Sequence, residues 1–141
     1  MNPGKTSTGM VLEQMVLPAL EHGRYRYQRQ VTIGVRLGGG KHVVDVLAED
    51  VAGKKFLISL KWQQVSGTAE QKVPFEAICL AEAVRSSDGQ YHQAYLVLGG
   101  PGWKLRDFFV GGGLQGHLTH SDLVRIVTLE EFVSLANQAK L

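Results

Sequence analysis

The sequence predicts an α/β fold, a mixed β-sheet flanked by helices in the order αβββαβ(loop)βα. Three observations predict it. Two apolar, β-branched runs, "HVVDVLAED" and "KKFLISLKW", are joined by a short glycine-bearing turn and read as a hairpin. A long helical stripe then separates that hairpin from the buried-looking run "QAYLVLGG". The last segment, "LVRIVTLEEFVSLANQ", passes from strand to helix at a threonine. Strands interleaved with helices in this way imply a sheet covered on both faces. The 141 residues suit a single domain, 1–141.

Composition narrows the function classes. Hydrophobic content of 44% and charged content of 20% are those of an ordinary globular protein. A net charge of +2 gives no overall basic field, so any case for nucleic acid must be local. The lone Cys79 rules out an internal disulfide and suits a reducing compartment. No apolar run approaches membrane-spanning length, and "MNPGKTSTG" lacks a signal-peptide core. A cytoplasmic protein with no membrane partner is expected.

Taken in order, the elements follow from local chemistry. "MVLEQMVLPALEHG" sets Met10, Val11, Met15, Ala19 and Leu20 toward a core, Gly23 stops the helix, and Pro18 is expected to kink it. "RYRYQRQVTIGVRL" reads as a strand with Arg24, Arg26 and Gln28 on one face. In the hairpin, Val51, Ala52 and Gly53 form the loop, with Gly53 left-handed, so Asp50 faces Lys54. Counting inward brings Asp45 opposite Ser59, with Lys61 on the same face. "VSGTAEQKVPFEAICLAEAVRSS" is helical, with a Thr68–Gln71 capping box and a stripe of Val73, Ala77, Leu80, Ala81 and Val84. Pro74 either kinks this helix or sits at the start of its main part. The stretch from Gly99 to Ser121 is a long glycine-rich excursion, assigned to DNA contact or dimerisation, in which Trp103, Phe108 and Phe109 pack. Thr128 caps the final helix.

Asp45 interrupts "VVDVL" and Lys61 ends "FLISL". Both charges are thus rooted in strands that read as buried, where a charge is costly unless it is paired or bound to metal. An exposed cross-strand ion pair is the plainer alternative. Gln63 adds a further polar group on the same face. The layout helix–β–β(Asp)–β(x-x-Lys-x-Gln)–helix–β–β–helix resembles the PD-(D/E)XK nuclease superfamily, which includes restriction and homing endonucleases. The resemblance spans nearly the whole chain in architecture, while its sharp motifs lie between Asp45 and Glu76. Val44 replaces the proline before the aspartate, and Ser59 replaces the acid two residues before the lysine.

Some restriction endonucleases with S-x-K take the missing acid from the next helix, and "SLKWQQVSGTAEQKVPFE" is similar to them. Glu70 and Glu76 compete for that place. Glu70 follows the cap, where the helix dipole alone favours an acid. Glu76 lies on the apolar side beside Val73 and Leu80, which favours it. The resemblance implies a restriction-endonuclease-like fold and an Mg²⁺-dependent DNA endonuclease. Asp45, Glu76 and the Leu60 carbonyl would hold Mg²⁺, or Mn²⁺ in its place. Lys61 would activate water and Gln63 would position it. Glu13 is similar to the first-helix acid of these enzymes, or is a solvated helix residue.

Other residues bear on partners. Arg24, Arg26 and Arg29, with Tyr25 and Tyr27 between them, are candidates for phosphate contact, as are Lys41 and His42. "GGGK" is not a phosphate-cradling loop, since no Ser/Thr and no helix follow it. His117 and His120 alone are too few for structural zinc. Cutting both strands of a duplex with one site per chain implies a homodimer. A non-catalytic DNA-binding protein on a degenerate nuclease fold is the alternative, and a Holliday junction resolvase is a further one among enzymes.

Overall fold

The computed structural model describes residues 9–141, so the loose polar start at residues 1–8 lies outside the described residues. The strands are β1 (Arg26–Val35), β2 (Lys41–Glu49), β3 (Lys55–Trp62), β4 (Gln93–Gly99) and β5 (Val124–Thr128). They lie side by side in chain order as one mixed sheet. The first three run antiparallel, and β3, β4 and β5 run parallel. This is the mixed, helix-flanked sheet that the sequence predicts.

The helices cover both faces. The first, α1, is a π-helical turn at Leu12–Val16 continuing into an α-helical part at Leu17–His22. It packs with the last helix, α4 (Leu129–Asn137), over Val46, Ala48, Ile58 and Tyr95. The long helix α2 (Ala69–Arg85) and the short α3 (Arg106–Val110) lie on the other face, over Leu57, Leu96 and Ile126. Among the described residues, no helix is long and apolar enough to cross a membrane.

Several local readings hold in detail. Gly53 is left-handed with φ +91, and the hairpin register pairs Glu49 with Lys55 and Val46 with Ile58. The α2 stripe of Val73, Ala77, Leu80, Ala81 and Val84 is buried. The Thr128 side chain accepts the Glu131 N–H at 3.1 Å, capping α4.

Others shift for identifiable reasons. In α1 the buried face is Leu12, Val16, Leu17 and Leu20 with Val11 and Ala19, while Met10 and Met15 are exposed. The Leu17 N–H reaches back to the Leu12 carbonyl. That wider turn stands just before Pro18, which has no N–H to give, and it rotates the apolar stripe off the 3.6-residue period. Arg24 lies before β1 in a left-handed conformation, φ +66, rather than on a strand face with Arg26. The Thr68–Gln71 capping box does not form, since the Thr68 side chain makes no capping bond. The Gln63 side chain takes that place, accepting the Ala69 N–H at 3.1 Å. Pro74 sits inside a continuous α2 instead of dividing it. Phe109 and half-buried Trp103 pack as expected, whereas Phe108 is exposed.

The chain after β4 folds back on the end of β3. Gln63 N–H donates to the Gly99 carbonyl, and Gly102 N–H donates to the Gln63 carbonyl. Gly100, at φ +97, is wedged against the Gln63 backbone, where a Cβ would collide with the Gln63 carbonyl. Gly53 has a similar φ but meets only the tip of Glu49. Gly53→Ala should therefore bear only conformational strain, about 1–3 kcal/mol. Gly100→Ala should cost more, and urea midpoints of the two variants, measured side by side, provide the comparison.

Candidate active site

The site begins where two strands part. The β2–β3 ladder ends at Val46–Ile58, one residue short of Asp45. Val46 and Ala48 face the α1 side, yet Val44, two residues earlier, faces the α2 side. Residues two apart on a regular strand share a face, so β2 turns over at Asp45. Gln30, which stands opposite Asp45 on β1, has φ +52, a left-handed residue on the partner strand at the level of the turn-over, while the pairs on either side, Arg29–Val46 and Val31–Val44, keep one register. Freed from the ladder, the Asp45 carboxylate accepts the Leu60 backbone N–H at 2.7 Å. A strand residue points its N–H and C=O to the same side, so the Leu60 carbonyl lies on the Asp45 side too.

Beyond the turn-over, His42 joins Ser59 on the α2 face, and Glu76 comes down from α2 to meet them. Because α2 starts at Ala69, Glu76 lies beyond its first turn, where no helix-end effect accounts for an acid. Its side chain is 3% exposed. One oxygen, Oε1, accepts the Ser59 hydroxyl at 3.2 Å and faces His42 Nε2 at 3.3 Å. An ionised carboxylate only accepts, so Nε2 carries the proton of that contact. The other oxygen, Oε2, accepts from Arg36 Nη1 at 3.1 Å.

The two acids are tuned in opposite directions. Burial pushes the Asp45 carboxyl up, and the Leu60 N–H, the Lys61 charge and Gln30 only partly offset it. Burial also pushes the Glu76 carboxyl up, but there the His42 bond and the Lys61 and Arg36 charges outweigh it and hold the group below its ordinary value. Lys61 thus acts on both acids through its charge. The direct ion-pair partner of Glu76 is Arg36.

The remaining candidates fall into three groups. His42 is 2% exposed and faces Glu76, so a DNA-contact role for it is corrected to support of a buried carboxylate. Glu70 accepts the backbone N–H groups of Lys104 and Leu105, pinning the loop after β4 to the start of α2. It is therefore engaged away from Ser59. Gln63 is buried, and its amide is spent on the Gly102 carbonyl, at 2.9 Å, and on Ala69 N–H. Through these two bonds it braces the end of β3. Glu13, exposed on the π turn, pairs with Arg29 at 3.4 Å. Arg26 pairs with Glu49 at 3.3 Å, and Lys41 is exposed at the start of β2. The reading of the sequence missed Arg36, because nothing in "GVRLGGGK" reveals that its guanidinium turns back to a helix forty residues later.

Among the described residues no group of three or more His, Cys, Asp or Glu side chains stands ready to hold a metal ion. The candidate donors are the Asp45 and Glu76 carboxylates and the Leu60 carbonyl. They are all oxygen, which fits a hard cation that keeps several waters of its own. Residues 4–140 match the PD-(D/E)XK nuclease superfamily domain. The chain belongs to that superfamily. Among solved structures, the crystal structure of the protein of unknown function AF1548 is similar at 13% identity and a TM-score of 0.48. That match covers 80% of this chain, which spans about half (54%) of the length of AF1548. No curated protein matches the chain.

The opposed shifts of the two acids give opposed pH behaviour. Glu76, lowered on folding, contributes stability that is present above the ordinary carboxylate range and is lost as pH falls through its folded value. Glu76→Gln should cost about 1–3 kcal/mol at pH 7, the cost of weakening a buried charged hydrogen bond. The difference from wild type should shrink below about pH 4. Asp45, raised on folding, carries a penalty that builds as pH rises through the ordinary aspartate range. Asp45→Asn should accordingly be neutral or stabilising at pH 7, and lose any gain in acid. Urea unfolding of both variants between pH 3 and 7 measures the two trends.

Proposed function

We propose that this superfamily member is a metal-dependent DNA endonuclease whose second acid comes from helix α2. The observation that carries the reading is the bond between Glu76 and Ser59. A helix carboxylate bonds the serine that stands two residues before Lys61, which supports Glu76 as the acid in place of the one missing there. Asp45, Glu76 and the Leu60 carbonyl would hold Mg²⁺, with Mn²⁺ able to substitute. The ion supplies a Lewis acid and a more acidic bound water.

The chain's own residues do the rest. The Lys61 ammonium, whose charge acts on both acids, would orient the attacking water and stabilise charge on the phosphorane oxygens. One P–O bond forms to the water oxygen and one breaks to the leaving alkoxide, which takes up a proton. Ser59 and His42 hold Glu76 by Oε1, keeping Oε2 in a fixed direction. Gln63 acts by bracing the end of β3 and the start of α2. Glu13 pairs with Arg29, next to Gln30, and phosphate contacts would come from Arg24, Arg26, Arg29 and Lys41, which are spread along the β1–β2 ribbon from the Arg26–Glu49 end to the Val35–Lys41 end. Cleavage of both strands would use a homodimer, in the cytoplasm.

A second reading is a non-catalytic DNA-binding protein. It is favoured by the complete satisfaction of Glu76 by Arg36, His42 and Ser59 without a cation. Relaxation of supercoiled plasmid with Mg²⁺ separates the two. Wild type should nick, while Lys61→Ala, Asp45→Asn and Glu76→Ala should each lose activity about 100-fold or more. Duplex binding without nicking by wild type would establish the second reading, and nicking untouched by Lys61→Ala would overturn the first.

A further inference from the structure

Arg36 is the residue of this site that the proposed chemistry leaves unused, and its position is specific. It stands just after β1, in the turn through Gly38–Gly40 that leads into β2. Its backbone closes that turn, Arg36 N–H donating to the Gly40 carbonyl and the Arg36 carbonyl accepting from Gly39 N–H. Its side chain is 32% exposed, while the carboxylate it reaches is buried. The Arg36 side chain is therefore partly open to solvent while its Nη1 reaches Glu76.

The two oxygens of Glu76 are not equivalent. Ser59 and His42, both buried, hold Oε1. Among the described residues, Arg36 alone holds Oε2. A cation shared with Asp45 and the Leu60 carbonyl can take Oε2 without disturbing the buried pair of bonds. The guanidinium opposes that binding by charge repulsion, because two positive groups would stand at one oxygen. Charge balance points the same way. Asp45 and Glu76 face Lys61 and Arg36, two formal negatives against two positives. A divalent cation satisfies both acids and leaves two positive side chains beside it without counter-ions. A phosphodiester brings negative charge to that place, and a guanidinium is the side chain best shaped to bind it.

We propose that Arg36 is an exchangeable counter-ion and a substrate-phosphate ligand. It neutralises Glu76 in the absence of metal, and moves to the DNA phosphate when a divalent cation takes Oε2. This rests on the metal site proposed above. It adds that metal and DNA binding are coupled through one arginine, so that the metal-free protein withholds a phosphate contact from DNA.

The test titrates Mn²⁺ into the DNA-free protein by calorimetry, using wild type, Arg36→Gln, Arg36→Lys and Asp45→Asn. Duplex affinity is then measured by fluorescence anisotropy, once in Ca²⁺ and once in EDTA, across a salt series. Arg36→Gln should bind Mn²⁺ about tenfold more tightly, having lost the competing cation. In Ca²⁺ it should bind duplex about tenfold more weakly, with the salt slope reduced by about one. In EDTA it should bind duplex as wild type does. Arg36→Lys, which keeps the charge, should bind Mn²⁺ as wild type does, and this separates the exchange from a folding defect. Unchanged Mn²⁺ affinity in Arg36→Gln, with Asp45→Asn losing the ion, overturns the exchange alone. Equal duplex affinity of Arg36→Gln and wild type in Ca²⁺ overturns the phosphate contact. Absence of Mn²⁺ binding by wild type overturns the metal site, and the exchange with it.

Discussion

A carboxylate buried beyond the first turn of a helix must find donors, and Glu76 draws them from three different parts of the chain. Ser59 comes from β3, His42 from the opening of β2, and Arg36 from the turn before β2. An unpaired buried charge would cost several kcal/mol, so these contacts fix where α2 lies on the sheet. They also explain why Ser59 and His42 can be polar within an otherwise apolar face. Removing Glu76 would leave an imidazole and a hydroxyl facing nothing, and a guanidinium with no reason to turn inward. The helix, the strand pair and the turn all meet at this one side chain.

The second constraint is the point where β2 turns over. Regular pairing through Asp45 and Ser59 would have consumed the strand edge in ladder hydrogen bonds. By ending the ladder at Val46–Ile58, the fold lets the Asp45 side chain take the Leu60 N–H. It thereby leaves the Leu60 carbonyl beside a carboxylate. Burial holds the Asp45 carboxyl above its ordinary pKa, so the arrangement is not the most stable one for an ionised acid. Such a mismatch is characteristic of groups positioned for chemistry rather than for folding.

What could be read from the sequence was what depends on local chemistry. The glycine at Gly53 set the hairpin register, and that register brought Asp45 and Lys61 to the same region. The apolar stripe of α2 made Glu76 stand out as an acid on the wrong face. The cap at Thr128 was legible for the same reason, as a side-chain bond within one turn. What could not be read depends on contacts between distant segments. The π turn before Pro18 moved the buried stripe of α1 from Met15 to Val16. The face change at Asp45 sent His42 to the α2 side, beside Glu76, where simple alternation would have set it with Val46 and Ala48. Gln63 and Glu70 looked like chemistry or capping, and both proved to tie the loop after β4 to the start of α2. Arg36 was invisible because its partner is chosen by the packing of α2, not by any neighbour in sequence.

The account stands on Asp45 and Glu76 sharing one cation. Its most direct test is an anomalous-difference map from a crystal of the protein soaked in Mn²⁺. The account predicts one peak between the Asp45 carboxylate, Glu76 Oε2 and the Leu60 carbonyl, with Ser59 and His42 still on Oε1. A peak elsewhere on the chain, or a map in which Glu76 keeps all its present partners and no metal appears near Asp45, would contradict it.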